Sequence, residues 1–366
     1  MIVLVIYLLV YSLYLMVFLR GGWNRLLKKN GSAKRGNSIG LENISVVIPF
    51  RNEEKRIAPL LKLIRESDSL PFELIFVDDH SVDQSDNRIQ QLLTDTIKCI
   101  ALPQNEMGKK RAIYKGVMAA KTEYILTLDA DIQWSNEYFL NLGQLKEADL
   151  HVLPVTHTSS RFLNRFLQQD VFFATILNLS ITGWSRPIFC SGANLLFKKE
   201  AYIEAVSESS YFEIDSGDDV FLLREFQKNN KQIEVQTDSS LEVETTLPQS
   251  FSEFFNQRMR WLGKAFKVGN TLANTLAQIQ FIFAFTNLFF LAGCWLFLPI
   301  NSALFLTGVK TVFELLFSFD FYKRRKSFGL WILVPVYLLL LPILNGVMLM
   351  AFLGYKPRWK GRLIVQ

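Results

Sequence analysis

Cysteine and histidine are scarce in this chain. Its three cysteines, Cys99, Cys190 and Cys294, stand far apart with no CxxC spacing, which argues against a thiolate metal site and fits a reducing compartment. Its three histidines, His80, His151 and His157, make no HExxH-like pair, so the zinc-hydrolase helix is excluded. There is no internal repeat and no low-complexity tract. Charge is absent from long stretches: Met1 to Leu19, Val268 to Val309 and Phe328 to Tyr355 contain no Asp, Glu, Lys or Arg.

Those stretches hold the apolar excess of a 366-residue chain that is 50% hydrophobic and 20% charged, more apolar material than one soluble domain of ordinary composition buries. At about 1.5 Å per helical residue the second stretch is long enough to cross a roughly 30 Å hydrocarbon core twice. The first reads as a retained anchor, because its basic residues follow the apolar run and no small-x-small cleavage site closes it. Arg20, Arg25, Lys28, Lys29, Lys34 and Arg35 assign that side of the anchor to the cytosol by the positive-inside rule. Much of the net charge of +6 lies in this flank and in Lys323, Arg324, Arg325, Lys326, Lys356, Arg358, Lys360 and Arg362. No nucleic-acid motif accompanies it, so an anionic leaflet is the expected partner and nucleic acid is not.

The divisions expected are an anchor over 1–19, a basic linker over 20–43, a cytosolic α/β catalytic domain over 44–247, an interfacial helix over 248–270 and membrane helices with a basic tail over 271–366. In the last uncharged stretch, Pro335, Pro342 and Gly346 predict a broken, re-entrant segment that returns the "KPRWKGR" tail to the cytosol. Within the catalytic domain, β-rich apolar runs at Ile44 to Ile48, Glu73 to Val77, Ile97 to Leu102 and Tyr124 to Leu128 alternate with helical patterns such as Lys109 to Ala120. That alternation predicts βαβ units and a mostly parallel sheet. Ligands of such sheets gather at the carboxyl ends of the strands, where "VDDHS" and "DAD" fall.

Asp129 and Asp131 leave a buried strand one residue apart and repel each other unless a cation lies between them. Such a pair suits a hard divalent ion, Mg²⁺ or Mn²⁺, which takes few protein oxygens and keeps positions for water and substrate phosphates. A solvated turn is the plain alternative, since loops favour Asp.

Seven motifs then occur in one order: "SVVIPFRNEE" (Ser45 to Glu54), "LIFVDDHSVDQS" (Leu74 to Ser85), "NEMGKKRAIYKG" (Asn105 to Gly116), "LDAD" (Leu128 to Asp131), "SGAN" (Ser191 to Asn194), "GDDVFLLREF" (Gly217 to Phe226) and "QRMRW" (Gln257 to Trp261). In order and rough spacing the chain resembles family-2 glycosyltransferases. Its closing "WKGR" (Trp359 to Arg362) is similar to the tail of membrane-bound, ceramide-glucosyltransferase-like members. The resemblance implies a nucleotide-sugar-binding, Rossmann-like domain of GT-A type with membrane and interfacial helices. It also implies an integral membrane enzyme of a bacterial inner membrane, its catalytic domain cytosolic, moving a sugar from a nucleotide-diphosphate donor, read as UDP-linked, to a hydroxyl of a membrane lipid or lipid-linked acceptor with inversion.

Position by position, the resemblance implies that Pro49, Glu53, Asp78 and Asp79 belong to the nucleotide site, where carboxylates accept from a base N–H and ribose hydroxyls. Asp131 and Asp129 match the metal motif, Asp129 also standing near the sugar. Lys109 matches a Gly-Lys position near the diphosphate, or is a solvated first-turn lysine. Asp219 is the expected general base, taking the acceptor's proton. Its neighbour Asp218 stands where the family has Glu, and the pair also suits a helix N-terminus. Gly192, Ala193 and Asn194 fall on the acceptor side. Gln257, Arg260 and Trp261 share a helix face and match a motif that closes over the diphosphate and sugar. The same segment, with Phe251, Phe254, Phe255 and Phe266 interleaved with Arg258, Arg260, Lys264 and Lys267, also reads as an amphipathic interfacial helix.

His80 and Val82 depart from the family's small residue and Thr, and His80 is read as a loop histidine. His151 and His157 flank a strand and read as structural. Lys310 and Glu314, one turn apart in an apolar segment, are expected to pair. A processive polysaccharide synthase shares the closing motif but needs a lined channel, for which the spans offer little polar lining. An inactive nucleotide-sugar-binding protein is the remaining alternative, against which every motif is intact.

Overall fold

The computed structural model describes residues 1–32, 37–158, 162–207, 212, 217–248, 250–268, 271–352, 354–355, 358–359 and 362–363. Lys34, Arg35, Lys356 and Lys360, used above in reading the charge, lie outside them. The chain folds as two compact units. One comprises Met1–Ser32, Ser159–Ile188 and Leu247–Tyr355; the other comprises Ala33–Thr158, Phe189–Thr246 and Lys356–Gln366.

The second unit is built on sheets. Its strands are β1 (Ile44–Phe50), β2 (Glu73–Asp78), β3 (Ile97–Ala101), β4 (Tyr124–Leu128), β5 (Ile132–Trp134), β6 (Leu150–Val152), β7 (Val155–Thr158), β8 (Asn194–Lys198), β9 (Ile233–Val235) and β10 (Val243–Thr246). Seven form one sheet in the order β3-β2-β1-β4-β8-β6-β9, and a small sheet runs β5-β10-β7. In the large sheet β8 alone runs against its neighbours. The mostly parallel sheet follows from the sequence pattern: β1 is buried at every position, as a strand covered on both faces must be. Ile44, Val46, Ile48, Leu74, Phe76 and Leu126 form the centre of the core. Pro49 lies past the β1–β4 ladder, which ends at Val47 opposite Thr127, so its missing N–H removes no bond there.

Chain order reverses between β1 and β4, and a crevice opens at the carboxyl ends of strands at such a point. The helix Lys109–Ala119 crosses close over β1 and β2. A Cβ on Gly116 would lie 2.4 Å from Val47 Cγ1 and 3.1 Å from Val77 Cγ2, so only glycine permits this approach, which fixes where the helix begins.

The first unit is helical. Four helices, Ile2–Gly31, Gln278–Phe297, Ile300–Arg324 and Val334–Ala351, are long and apolar enough to cross a membrane. The expected linker after Leu19 is helical as far as Ser32, because Trp23 and Leu26 give it a buried face, 5% and 2% exposed. The helix Phe162–Trp184, inside the span assigned above to the catalytic domain, groups with these apolar helices. The expected break at Pro335, Pro342 and Gly346 does not occur: one helix runs Val334–Phe352. Pro335 sits in its first turn, where a missing N–H costs nothing, and Pro342, buried, stands inside the helix. Lys310 and Glu314 pair at 2.5 Å, 4% and 0% exposed, and Tyr11 donates its hydroxyl to the same carboxylate oxygen at 2.9 Å.

Candidate active site

β1 ends at Phe50 and the chain turns through Asn52 at φ 51°, a left-handed conformation that Asn tolerates. The Asn52 N–H donates to Ser81 Oγ at 3.1 Å and its side-chain carbonyl accepts from the Val82 N–H at 2.9 Å. The loops after β1 and β2 are thereby laced together. Glu53, 8% exposed, donates its N–H to Ser85 Oγ at 2.7 Å, and its carboxylate pairs with Arg56 at 3.0 Å. Arg56 also reaches Asp131 at 3.2 Å. One guanidinium therefore joins the acid after β1 to the second acid after β4.

The two acids after β2 differ. Asp79, 1% exposed, accepts the Gly108 N–H at 3.0 Å and faces Arg51 at 4.0 Å, so it organises the chain's own backbone. Asp78 is half-buried and accepts the Ser81 N–H at 3.0 Å, leaving it the more accessible of the pair. His80 takes φ 56°, the conformation that accounts for glycine in the resembled motif. Its Nε2 lies 2.8 Å from the Glu106 carbonyl, a loop contact in keeping with the sequence reading.

Lys109 opens the helix that Gly116 seats on the sheet. Its ammonium lies 2.8 Å from Asp129 and 2.9 Å from Asp218. Burial alone lowers an ammonium's pKa, but Asp129 and Asp218 together outweigh it and hold Lys109 well above its ordinary value. This excludes the solvated reading of Lys109. Asp218, 9% exposed, begins the helix Asp218–Lys228 after Gly217, whose φ of 89° suits glycine. Successive helical residues point about 100° apart, so the two acids diverge: Asp218 turns to Lys109, while Asp219 Oδ1 accepts the Val220 N–H at 2.8 Å. The N-cap residue, Gly217, offers no side chain of its own to this helix start. Gly192 lies against the cluster, where a Cβ would come 2.4 Å from Asp218 Oδ2 and 3.3 Å from Lys109 Nζ.

The structure thus brings Lys109, Asp129, Asp218 and Gly192 together, and separately Glu53, Arg56 and Asp131. Of the residues expected on the acceptor side, Asn194, 0% exposed, donates to the Pro154 and Leu241 carbonyls at 2.9 and 3.0 Å and accepts from the Tyr138 hydroxyl at 2.6 Å, so its amide ties strands of the fold together. Ala193 is 5% exposed within the core. Arg56 was not singled out in the sequence, because nothing in "RNEEKR" distinguishes which of its three cations meets Glu53 and Asp131. His151 is structural: its ring bonds the Lys146 carbonyl at 2.9 Å, and burial pushes its pKa down to about 4.

Among the described residues no three His, Cys, Asp or Glu side chains converge as a metal cage. Asp129 and Asp131, on one turn and each already facing a cation, still fit the minimal donor set of a hard divalent ion, which takes one or two carboxylates and completes its shell with water and phosphate oxygens.

Gln257, Arg260 and Trp261 lie on the helix Phe251–Val268 in the helical unit. The interfacial reading of this helix is corrected in part. Phe254 is 0% exposed and packs with Leu167, Met259 and Met348, and Arg258 is 11% exposed at its side chain, so neither faces a bilayer. Phe251 is 62% exposed. The side chains of Lys264, Phe266 and Lys267 lie outside the described residues.

Residues 45–204 match the model of the family described as glycosyl transferase family 2. Over 137 residues the chain is 33% identical to the 4,4'-diaponeurosporenoate glycosyltransferase of Staphylococcus haemolyticus, covering 33% of this chain and 36% of that protein. Over 98 residues it is 35% identical to the undecaprenyl-phosphate 4-deoxy-4-formamido-L-arabinose transferase of Pectobacterium carotovorum, covering 25% and 30%. The chain therefore spans about a third of the length of the curated relatives it matches. Its fold is similar to that of the mannosyltransferase PcManGT from Pyrobaculum calidifontis, solved in complex with GDP-Man and Mn²⁺, with TM-score 0.55 and 16% identity over 95% of this chain and 99% of that one. The architecture is an α/β glycosyltransferase fold of GT-A type.

Proposed function

Given a glycosyl transferase family 2 domain over residues 45–204, we propose that this protein moves a sugar from a nucleotide-diphosphate donor, UDP-linked in this reading, to a hydroxyl of a membrane lipid or lipid-linked acceptor, inverting the anomeric centre. The observation that carries the proposal is Lys109, which joins Asp129 after β4 to Asp218 at the start of a distant helix. Such a cluster at the carboxyl ends of parallel strands is what transfer from an anionic donor requires: a cation for the departing diphosphate and a carboxylate for the incoming hydroxyl. The apolar helices and a relative named for undecaprenyl-phosphate, an isoprenoid lipid phosphate, support the lipid acceptor.

In this reading Glu53 and Asp78 accept from the base and ribose, while Asp79 shapes their loop. Asp129 and Asp131 would hold Mg²⁺ or Mn²⁺, which would supply positive charge against the diphosphate. Lys109 stabilises the same charge as the bond from the anomeric carbon to the diphosphate breaks. Asp218 replaces Asp219 as the assigned base, because it is the member of the pair turned to the cluster. It takes the proton of the acceptor hydroxyl as that oxygen bonds to the anomeric carbon. Gln257, Arg260 and Trp261 keep the donor-facing role that their motif implies.

The test is incubation of the purified protein with a panel of nucleotide sugars and a total lipid extract, with products identified by mass spectrometry. A lipid carrying one added sugar is expected, and oligosaccharide products would favour a polymerase. Asp218→Asn should bind donor and lose transfer; transfer at the wild-type rate in that variant would remove the base assignment.

A further inference from the structure

Arg258 lies between Gln257 and Arg260 but is not one of the residues that the closing motif specifies. Its surroundings in the helical unit are unusually complete. The guanidinium carbon stands 4.2 Å from the centre of the Trp261 ring and 4.9 Å from that of Phe254, so the flat group lies between two aromatic side chains of its own helix. Arg suits such a place because its planar, weakly hydrated guanidinium stacks on rings while its edge bonds a carboxylate. That carboxylate is Asp170, 2.5 Å away on the helix Phe162–Trp184, with the two side chains 11% and 17% exposed. The other Asp170 oxygen accepts the Tyr337 hydroxyl at 2.6 Å, and Tyr337 is 1% exposed on the helix Val334–Phe352. Three helices therefore meet in one chain of contacts, Tyr337 to Asp170 to Arg258 to Trp261.

A surface arginine does not need this arrangement. Breaking a buried ion pair on one side is costly because the other charge is left unpaired, so each member holds the next in one orientation. What lies at the end of the chain is the indole of the motif. We propose that Arg258, Asp170 and Tyr337 are positioning residues that fix the orientation of Trp261 for sugar transfer, and that the apolar helix bearing Tyr337 thereby sets the geometry of the motif. The inference rests on the reading in which Trp261 meets the donor.

The test is a double-mutant cycle on the full chain in lipid discs. The probe is a sugar-labelled mixture of UDP-glucose, UDP-N-acetylglucosamine and GDP-mannose with a total lipid extract. Arg258→Met, and Tyr337→Phe, which keeps the ring and loses only the hydroxyl, should each lower the rate at saturating donor, about tenfold and about threefold, with less than a twofold change in the donor concentration for half-maximal rate. In a Trp261→Phe background Arg258→Met should cost less than about twofold more, because residues acting through one another are not additive. Equal fold losses in both backgrounds, or losses matched by a fall in the folded fraction, would overturn the inference. Wild-type transfer by Trp261→Ala would overturn it differently, by removing the reading of the motif on which it stands.

Discussion

Lys109 shows how one residue changes its meaning between sequence and fold. In the sequence it is a lysine in a polar helix; in the structure two carboxylates from distant segments hold it. Lys109→Met should lower transfer by about 10²–10³, the scale of removing one preorganised charge from a transition state, with a folded protein by thermal melting. Asp131→Ala should remove metal-dependent transfer and leave folding intact. His151 makes a separate prediction about pH. Its imidazole protonates near 6.5 in the unfolded chain but only at about 4 when folded. Lowering the pH from about 6.5 to about 4 therefore loads the unfolded state with a proton the folded state refuses, and stability falls over that window. His151→Gln should flatten this slope in melting curves recorded between pH 4 and 7. The motif positions were legible in the sequence because each falls at a strand end, in a helix's first turn or on one helix face, places that short-range spacing marks. Which of Asp218 and Asp219 faces the cluster was not, since that depends on where the helix begins, nor was the partnership of Arg56 with Glu53 and Asp131, which joins residues 75 apart.

Among the elements, β1, β2 and β4 were readable because both of their faces are covered, and burial leaves an apolar signature; β3, at the sheet edge and only partly buried, was readable from its short β-rich run. The helix Phe162–Trp184 was missed: its apolar residues spread around the helix and offer no stripe for periodicity to detect. The helix Val334–Phe352 was misread because Pro335 falls in its first turn, where proline is tolerated, and Pro342 is accommodated inside the helix. Packing also carries the element-scale predictions. Gly116→Val should lift the helix bearing Lys109 from β1, lowering the melting temperature and transfer together, with a stability loss of about 1–3 kcal/mol or more from overpacking. Lys310→Met leaves Glu314 buried without its ion partner and should cost about 3–5 kcal/mol, read as a lower melting temperature in detergent. Adding Glu314→Gln to that variant should recover most of the loss, because the unpaired charge is then gone.

At the scale of the whole molecule, a sheet-built unit supplies the carboxylates and cations, and a helical unit supplies four spans long and apolar enough for a bilayer together with the Gln-x-x-Arg-Trp helix. The chain order interleaves them: the helix Phe162–Trp184 leaves and re-enters the run of strands, so neither unit is one continuous segment. The sequence marks that interleaving only by the uncharged run from Val171 to Ser185, which is shorter than a membrane span needs. In the proposed reaction Asp129 and Asp131 support donor turnover through a divalent ion, and the sugar goes to a lipid. The most direct measurement is sugar transfer by the full chain in lipid discs, from a nucleotide-sugar panel to a total lipid extract, with added Mn²⁺ and then with excess chelator. A glycosylated lipid that forms with the ion and disappears with the chelator is the expected result; the same product formed at the same rate in chelator would contradict it.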